Sequence, residues 1–518
     1  MPIEHVFVLM LENRSFDHML GFSGLKGTDA VTGKPTKING VPPGASNTWK
    51  GANYPAIAPA VDPMVSDPRH EFEDVLEQLC GNGAIYPKGG PYPPINNSGF
   101  ASNFSQNFTG FLDPAHIADV MRGFPLPGPA TPAPNVRNLY TLAQEFAVCD
   151  SWFASMPGPT FPNRCFALGA SSAGLDHSPN NAVLAFWDIT KGFCFQHGSI
   201  FDAINNAPPA KGLSWRVYAG NKLLVLARAF SGTHNDDIFP FSMFPGDVAN
   251  PVYGPQFTWI EPSYGNPLNS YLGGSSQHPL DGVIGGEALI KATYEAIRSS
   301  PVWDSSMLII TWDEHGGYYD HFPPPSAPPP GDTPQAMLVN KYGFAFNQYG
   351  PRVPAVVVSP LIPANTIDHR HYDHSSIPKA VEQLFGLSPL TARDRAALDP
   401  SKLATLSEPR TDTPESLEAG AEEEAAFAAI PLDNLHVKLD KVADPTQAVD
   451  FHPNLPIFLY VAARTESELP PAPGIALEAH VDSARARVRA VTTRAQALAY
   501  LEDIRSRTAA NLDLLERG

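Results

Sequence analysis

Two acidic motifs, each at the exit of an apolar run, hold the residues best suited to chemistry. Glu12-Asn13-Arg14-Ser15-Phe16-Asp17-His18 follows the run 3–11, and Asp313-Glu314-His315-Gly316-Gly317 follows the run 307–312. Both runs read as buried strands. Carboxylates at such exits hold a metal or handle protons, and in an open α/β sheet this edge is where ligands bind. Glu12, Asn13, Asp313 and Glu314 offer four oxygen ligands. They suit Mg²⁺, Ca²⁺ or Mn²⁺, with zinc or iron still compatible. Taken one at a time, the acids read equally well as ion-pair partners of Arg14 and Arg164.

A third motif supplies a nucleophile. In Pro157-Gly158-Pro159-Thr160-Phe161-Pro162-Asn163-Arg164 the prolines and glycine stiffen a turn, and a helix can open after it. A hydroxyl held there beside a cation has its pKa lowered, and Thr160 can then attack a phosphoryl centre. The plainer reading is that Thr160 caps a helix. Histidines form a fourth group: His70, His234 and His278, with His321 and His374 in further motifs. Each can protonate a leaving alkoxide or hydrogen-bond phosphate oxygens, or can simply be a surface residue.

Strands and helices must position these groups. Strand-like runs fall at 3–11, 213–218, 257–260, 307–312 and 353–358. The stretch 283–299 repeats apolar residues at helical spacing. Strand 257–260, helix 283–299 and strand 307–312 read as a βαβ unit, so the expected fold is an α/β three-layer sandwich with a mostly parallel central sheet. Past residue 400 the texture changes. Residues 408–425 are acid-rich and read as a solvated linker or helix face, whereas 477–516 read as one or two helices that pack on the rest. The expected division is a catalytic domain over 1–400, followed by an acidic linker and helical C-terminal region over 401–518.

Composition narrows the function. The chain has 518 residues and a formal charge of -18, which disfavours nucleic-acid binding, although a cation can still invert the local potential at a phosphate site. No transmembrane run and no basic amphipathic helix is visible, so membrane contact is at most peripheral. The N-terminus shows no leader pattern, so a cytoplasmic protein, or one exported on a leader outside this sequence, is expected. Cys80, Cys149, Cys165 and Cys194 have no zinc-site spacing and read as buried small groups, or as one or two disulfides after export. The 55 prolines and 40 glycines cluster in loops such as 89–94, 125–129 and 323–331, which suit an active-site rim.

Taken in order, Glu12 to Gly21, Gly158 to Arg164, Thr311 to His321, Arg352-Val353-Pro354 with Ser359-Pro360, and His374-Ser375-Ser376-Ile377 resemble the phosphoesterase family of non-specific phospholipases C and bacterial acid phosphatases. The resemblance covers roughly residues 3–395. It implies an alkaline-phosphatase-like core and one or more divalent metal ions held by Glu12, Asn13, Asp313, Glu314 and the nucleophile Thr160. It also implies His278, with His70 and His234, around the phosphate, and Arg164 and Asp150 on the substrate side. Threonine at position 160 leans toward the phospholipase branch, with phosphatidylcholine-type diesters as substrate. The alternatives are an acid phosphatase on monoesters and a non-catalytic phosphoester-binding protein. Asp17 and Asp320 read as supports, not ligands.

Overall fold

The run HVFVLML at His5–Leu11 (β1) is buried at every position because it lies in the interior of a ten-stranded sheet. This computed structural model describes residues 2–107, 110–128, 135–334, 339–417, 425, 444–449 and 454–516. The other strands of the sheet are Lys26–Asp29 (β2), Pro35–Lys37 (β3), Ala147–Cys149 (β4), Trp215–Ala219 (β5), Ile238–Pro240 (β6), Phe257–Glu261 (β7), Ser306–Trp312 (β8), Ala355–Val358 (β9) and Thr366–Asp368 (β10). Their order is β6-β5-β7-β1-β8-β9-β4-β10-β2-β3. Only β9 and β3 run against the others. The fold is therefore α/β with a mostly parallel sheet. Every residue of β1 and β8 is buried, so both faces of the sheet centre are covered, as parallel sheets require.

Among the helices are Arg137–Glu145 (α1), Thr160–Gly169 (α2), Ile284–Arg298 (α3), Ser376–Phe385 (α4), Leu455–Glu468 (α5), Leu477–Arg489 (α6) and Arg494–Glu516 (α7). The expected βαβ unit is present as β7, α3 and β8, with β1 inserted between its two strands. The strand expected at 353–358 begins at Ala355 and runs antiparallel to β8. It starts at the edge where its neighbours end, so the preceding Arg352 faces the same edge as Glu12 and Asp313.

Residues 477–489 and 494–516 are helical, as the sequence suggests. The helix α5 was not read from it. The segment LPIFLYVAARTESE is buried along nearly its whole length and joins the same apolar core as β1 and β8. Of the acid-rich stretch 408–425, residues 418–424 lie outside the described residues. Before it, Arg410 pairs with Glu145 at 3.3 Å and Asp412 at 2.8 Å. Cys149 and Cys165 are buried free thiols and Cys80 is half-buried, whereas Cys194 is exposed.

Candidate active site

Register brings the two acidic motifs together. Leu11 pairs with Trp312, the last residues of β1 and β8, so Glu12-Asn13 and Asp313-Glu314 leave the sheet side by side. Cross-bonds lock the exits: the Asp313 N–H donates to the Leu11 carbonyl (3.2 Å) and the Arg14 N–H to the Glu314 carbonyl (3.0 Å). Asn13 sits at φ 60°, a left-handed conformation that asparagine tolerates better than most residues. Its N–H donates to Asp313 Oδ1 at 3.0 Å. Gly316 lies so close that a Cβ there would come within 2.2 Å of the Asn13 carbonyl oxygen, at a φ of 63°. A side chain at 316 would push the two exits apart.

Thr160 is the first residue of α2, with Pro159 as its cap residue. Its hydroxyl donates to Asn13 Oδ1 at 3.4 Å, a long bond that leaves Oγ1 lone pairs free. One turn on, Arg164 donates Nε to Asp313 Oδ2 (2.9 Å) and Nη2 to the Leu11 carbonyl (3.0 Å). Arg164 Nη1 is buried without a partner. The threonine is thus neither a surface cap nor remote from the acids.

The acids differ in how well the protein satisfies them. Asp313 accepts from three donors: the N–H groups of Asn13 and Glu314, and Arg164. Glu314 Oε2 accepts from Gly316 N–H at 2.7 Å, while Oε1 is buried without a hydrogen bond. Both Glu12 oxygens are buried with no hydrogen bond of ordinary geometry. The contrast with Glu261 is instructive, since that acid also ends a strand. It receives the N–H groups of Leu226 and Ala227, the Trp259 indole and the Tyr264 hydroxyl. A buried carboxylate without donors is costly unless something positive faces it.

The ionisation behaviour follows. Burial first, then the charge of Asp313, push Glu12 well above the carboxylate range, with Arg164, the Ser276 hydroxyl and His70 pulling the other way. Burial also raises Asp313, to about 6, against the pull of Arg164. Burial works against charge on Glu314 as well, but His70 and then His315 outweigh it and lower its pKa. His70 mirrors this. Burial disfavours the imidazolium, yet Glu314, Asp67 and the Pro68 carbonyl together raise it to about 9. His70 faces Glu314 at 4.0 Å, and its Nε2 lies 3.5 Å from Asn13 Nδ2.

The donor set fits a hard divalent cation. Glu12 contributes two unpartnered oxygens and Glu314 one, and the Thr160 hydroxyl bonds the amide oxygen of Asn13, the residue after Glu12. All are oxygens, the ligand type such ions select. Each Asp313 oxygen keeps lone-pair capacity beyond its hydrogen bonds. Among the described residues, the group of three Asp, Glu, His or Cys side chains whose ligand atoms all lie within 4.8 Å of one another is a different one, Asp17, Asp320 and His321. There the guanidinium of Arg352 already bonds Asp17 (2.9 Å) and Asp320 (2.9 Å), so these acids support the fold.

Among the other residues singled out from the sequence, His278 is buried, with its ring stacked on Tyr271 at 3.7 Å. Its Nδ1 accepts from the Leu280 N–H (3.3 Å), and its Nε2 lies 3.5 Å from Asp67. The structure does not bring two of the candidates to this cluster by any described contact. The side chain of His234 is 66% exposed and bonds Glu468 of α5 at 3.2 Å. Asp150 follows β4, which β9 separates from β8. It accepts from Asn39 N–H (2.7 Å) and His369 (2.8 Å).

Sequence reasoning missed Asp67 and the role of His374. Asp67 bridges His278 to the field of His70 and Glu314, and burial raises it to about 7. It stands three residues before His70, within the same short motif. His374 accepts the Trp152 indole N–H on Nδ1 (3.2 Å) and donates Nε2–H to the Asp313 carbonyl (2.6 Å). Burial lowers it to about 4, so it is a neutral prop under the strand exit.

Comparison with known proteins fixes the class. The model of the Phosphoesterase family matches residues 3–388, and the chain belongs to that family. It is 34% identical to non-specific phospholipase C5 of Arabidopsis thaliana over 80% of this chain and 77% of that protein. It is 29% identical to phospholipase C B of Mycobacterium tuberculosis over 74% of each. Among solved structures, a Vibrio parahaemolyticus protein of the alkaline phosphatase superfamily shows a TM-score of 0.31 at 15% identity, over 51% of this chain and 64% of that one. The protein is a phospholipase C-like phosphoesterase, a hydrolase of phosphoric ester bonds. No described helix is long and apolar enough to cross a membrane.

Proposed function

We propose that the protein is a divalent-cation-dependent phospholipase C that cleaves diesters such as phosphatidylcholine through a phospho-Thr160 intermediate. The observation that carries the reading is the pair of buried, unpartnered Glu12 oxygens beside the Asn13–Thr160 contact. Glu12, Asn13, Asp313, Glu314 and Thr160 would hold the ion. A bound cation there neutralises phosphate oxygens and lowers the pKa of a neighbouring hydroxyl. The phospholipase names of the relatives support a phospholipid substrate.

The chain's own residues supply the rest. Thr160 Oγ1 forms its bond to phosphorus as the bond to the leaving alkoxide breaks. Pro159 and Pro162 carry no N–H and the Asn163 N–H donates to the Pro159 carbonyl (3.4 Å), so the start of α2 offers an anion at most the N–H groups of Thr160 and Phe161. The His70 imidazolium offsets phosphate charge from the side of Glu314. His278 is assigned to protonating the leaving alkoxide, with Asp67 holding its Nε2 face. Arg164 fixes Asp313 and keeps Nη1 for an incoming oxygen. His234 and Asp150 fall outside this assignment, given their partners. Water then attacks phosphorus, the bond to Thr160 Oγ1 breaks, and the phosphomonoester of the head group (phosphocholine for phosphatidylcholine) leaves as the threonine hydroxyl is restored.

Thr160→Ala tests the assignment with p-nitrophenyl phosphorylcholine. Transition-state stabilisation should fall on the order of several kcal/mol. Near-wild-type turnover would refute the nucleophile. Faster hydrolysis of p-nitrophenyl phosphate than of the diester would replace the phospholipase reading with a monoesterase.

A further inference from the structure

The residues assigned to the ion and the reaction centre are closed off from solvent. Glu12, Asn13, Thr160, Asp313 and Glu314 are 0% exposed, and His278 is 1% exposed. A phosphodiester with two organic arms reaches Thr160 Oγ1 only if part of this cover moves. His278 lies in the loop 262–283, between β7 and α3, and the same loop covers it. Tyr271 lies flat on the His278 ring, with centroids 3.7 Å and planes 11° apart. Burial first, then the charges of Glu12 and Asp67, push the Tyr271 hydroxyl well above its ordinary range, and the Asn454 side chain hydrogen-bonds it. Tyr271 therefore sits within the field of the ligand cluster.

The backbone that presents Tyr271 is strained, and its neighbour faces water. Ser270 (φ 55°) and Tyr271 (φ 59°) are adjacent non-glycine residues in the left-handed region, which L side chains rarely adopt. Such conformations persist where surrounding contacts impose them. Leu272, the next residue, is 50% exposed, and Val65, on a second loop, is 56% exposed. The two loops are tied together. The Met64 N–H donates to the Pro279 carbonyl (2.8 Å), and Asp62 Oδ2 accepts the Val283 N–H (2.8 Å). The second loop leads directly into Asp67 and His70. Single exposed apolar residues are ordinary. What sets these two apart is their place, on the paired loops that carry His278, Asp67 and His70. Residues 56–68 and 262–282 include Asp62, Asp67 and Asp281 but no lysine or arginine.

We propose that the Val65 and Leu272 loops dock on the surface of a zwitterionic phospholipid aggregate, and that seating Leu272 in that surface draws Tyr271 off His278 and opens the site. The choice of partner rests on the phospholipase reading. Interfacial binding scales with the apolar area buried plus electrostatic attraction. With acids and no bases in either loop, and a formal charge of -18 on the chain, an anionic surface is repelled. Leaving the left-handed conformation at 270–271 relieves strain, which lowers the cost of the movement.

Co-sedimentation of the full chain with vesicles tests the surface and needs no turnover. Phosphatidylcholine vesicles should retain the protein, and phosphatidylglycerol vesicles should retain much less. Leu272→Gln and Val65→Gln, both at exposed positions, should each weaken binding to phosphatidylcholine by about fivefold or more. Turnover of dihexanoyl phosphatidylcholine, with Mn²⁺ present, tests the opening. The wild-type rate should jump by about tenfold or more as the substrate passes its micelle concentration. Leu272→Gln should keep the rate on monomers and lose the jump. No vesicle binding by the wild type, equal binding by both variants, preference for the anionic vesicles, or a rate that rises smoothly through the micelle concentration would overturn the proposal. If p-nitrophenyl phosphate is hydrolysed and dihexanoyl phosphatidylcholine is not, at any concentration, the phospholipase reading fails, and the vesicle measurement alone decides the docking surface.

Discussion

Glu12 is the residue on which the site turns. A carboxylate buried without donors beside Asp313 is an energetic liability in the metal-free protein and an asset once a cation arrives. The two states should therefore respond oppositely to Glu12→Gln. In chelator, replacing this poorly solvated carboxyl by a neutral amide should leave thermal stability equal to or above wild type. With added divalent cation, wild type should gain stability that the variant lacks, as expected when a ligand binds only the folded state. A thermal scan of both proteins with chelator and with Mg²⁺, Ca²⁺ or Mn²⁺ reads this directly, and a variant less stable in chelator would contradict it. The acids and Thr160 were legible in sequence because strand exits and a stiffened turn announce themselves locally. Asp67 and His374 were not. Their importance lies in the partners that the fold brings to them, His278 for one and the Asp313 carbonyl for the other.

At the scale of elements, β1, β7 and β8 were readable because continuous apolar runs mark strands buried on both faces. The short strands β2, β3 and β10 were not, since three or four partly polar residues carry no period. The helix α5 was missed because 455–463 is apolar at every position and 464–468 is polar at every position, so neither part shows the stripe of an amphipathic helix. Element junctions carry their own prediction. Glu382 on α4 is buried beside Asp394, the residue that caps the next helix through the Thr391 N–H at 2.8 Å. Burial first, then Asp394, raise Glu382 from 4.5 to about 10. A carboxyl raised on folding stabilises fully below its unfolded pKa, and that contribution is lost as pH rises through the folded value. Wild type should lose stability steadily between pH 5 and 10. Glu382→Gln should flatten that slope in melts across this range, and an unchanged slope would remove Glu382 as its source.

Across the whole molecule, the C-terminal region and the site are physically continuous. Phe458 of α5 packs on Tyr264 (5.1 Å), whose ring lies under the Arg164 guanidinium (5.5 Å), and Arg164 holds Asp313. Phe458 is fully buried. Phe458→Ala should cost about 3–5 kcal/mol of global stability, as for large core truncations, and unfolding should remain a single transition. Denaturant titration checks both, and a separate early transition confined to the C-terminal helices would show an independent module. Sequence alone placed a boundary at residue 400 because composition shifts there, but composition does not report which apolar faces meet across the fold.

The central claim is one cation held jointly by both acidic motifs and the threonine. Anomalous scattering from crystals of the protein grown with Mn²⁺ tests it most directly. The expected peak touches Glu12, Asn13, Asp313, Glu314 and Thr160 Oγ1. A peak seated elsewhere, or none beside Glu12 at saturating Mn²⁺, would contradict it.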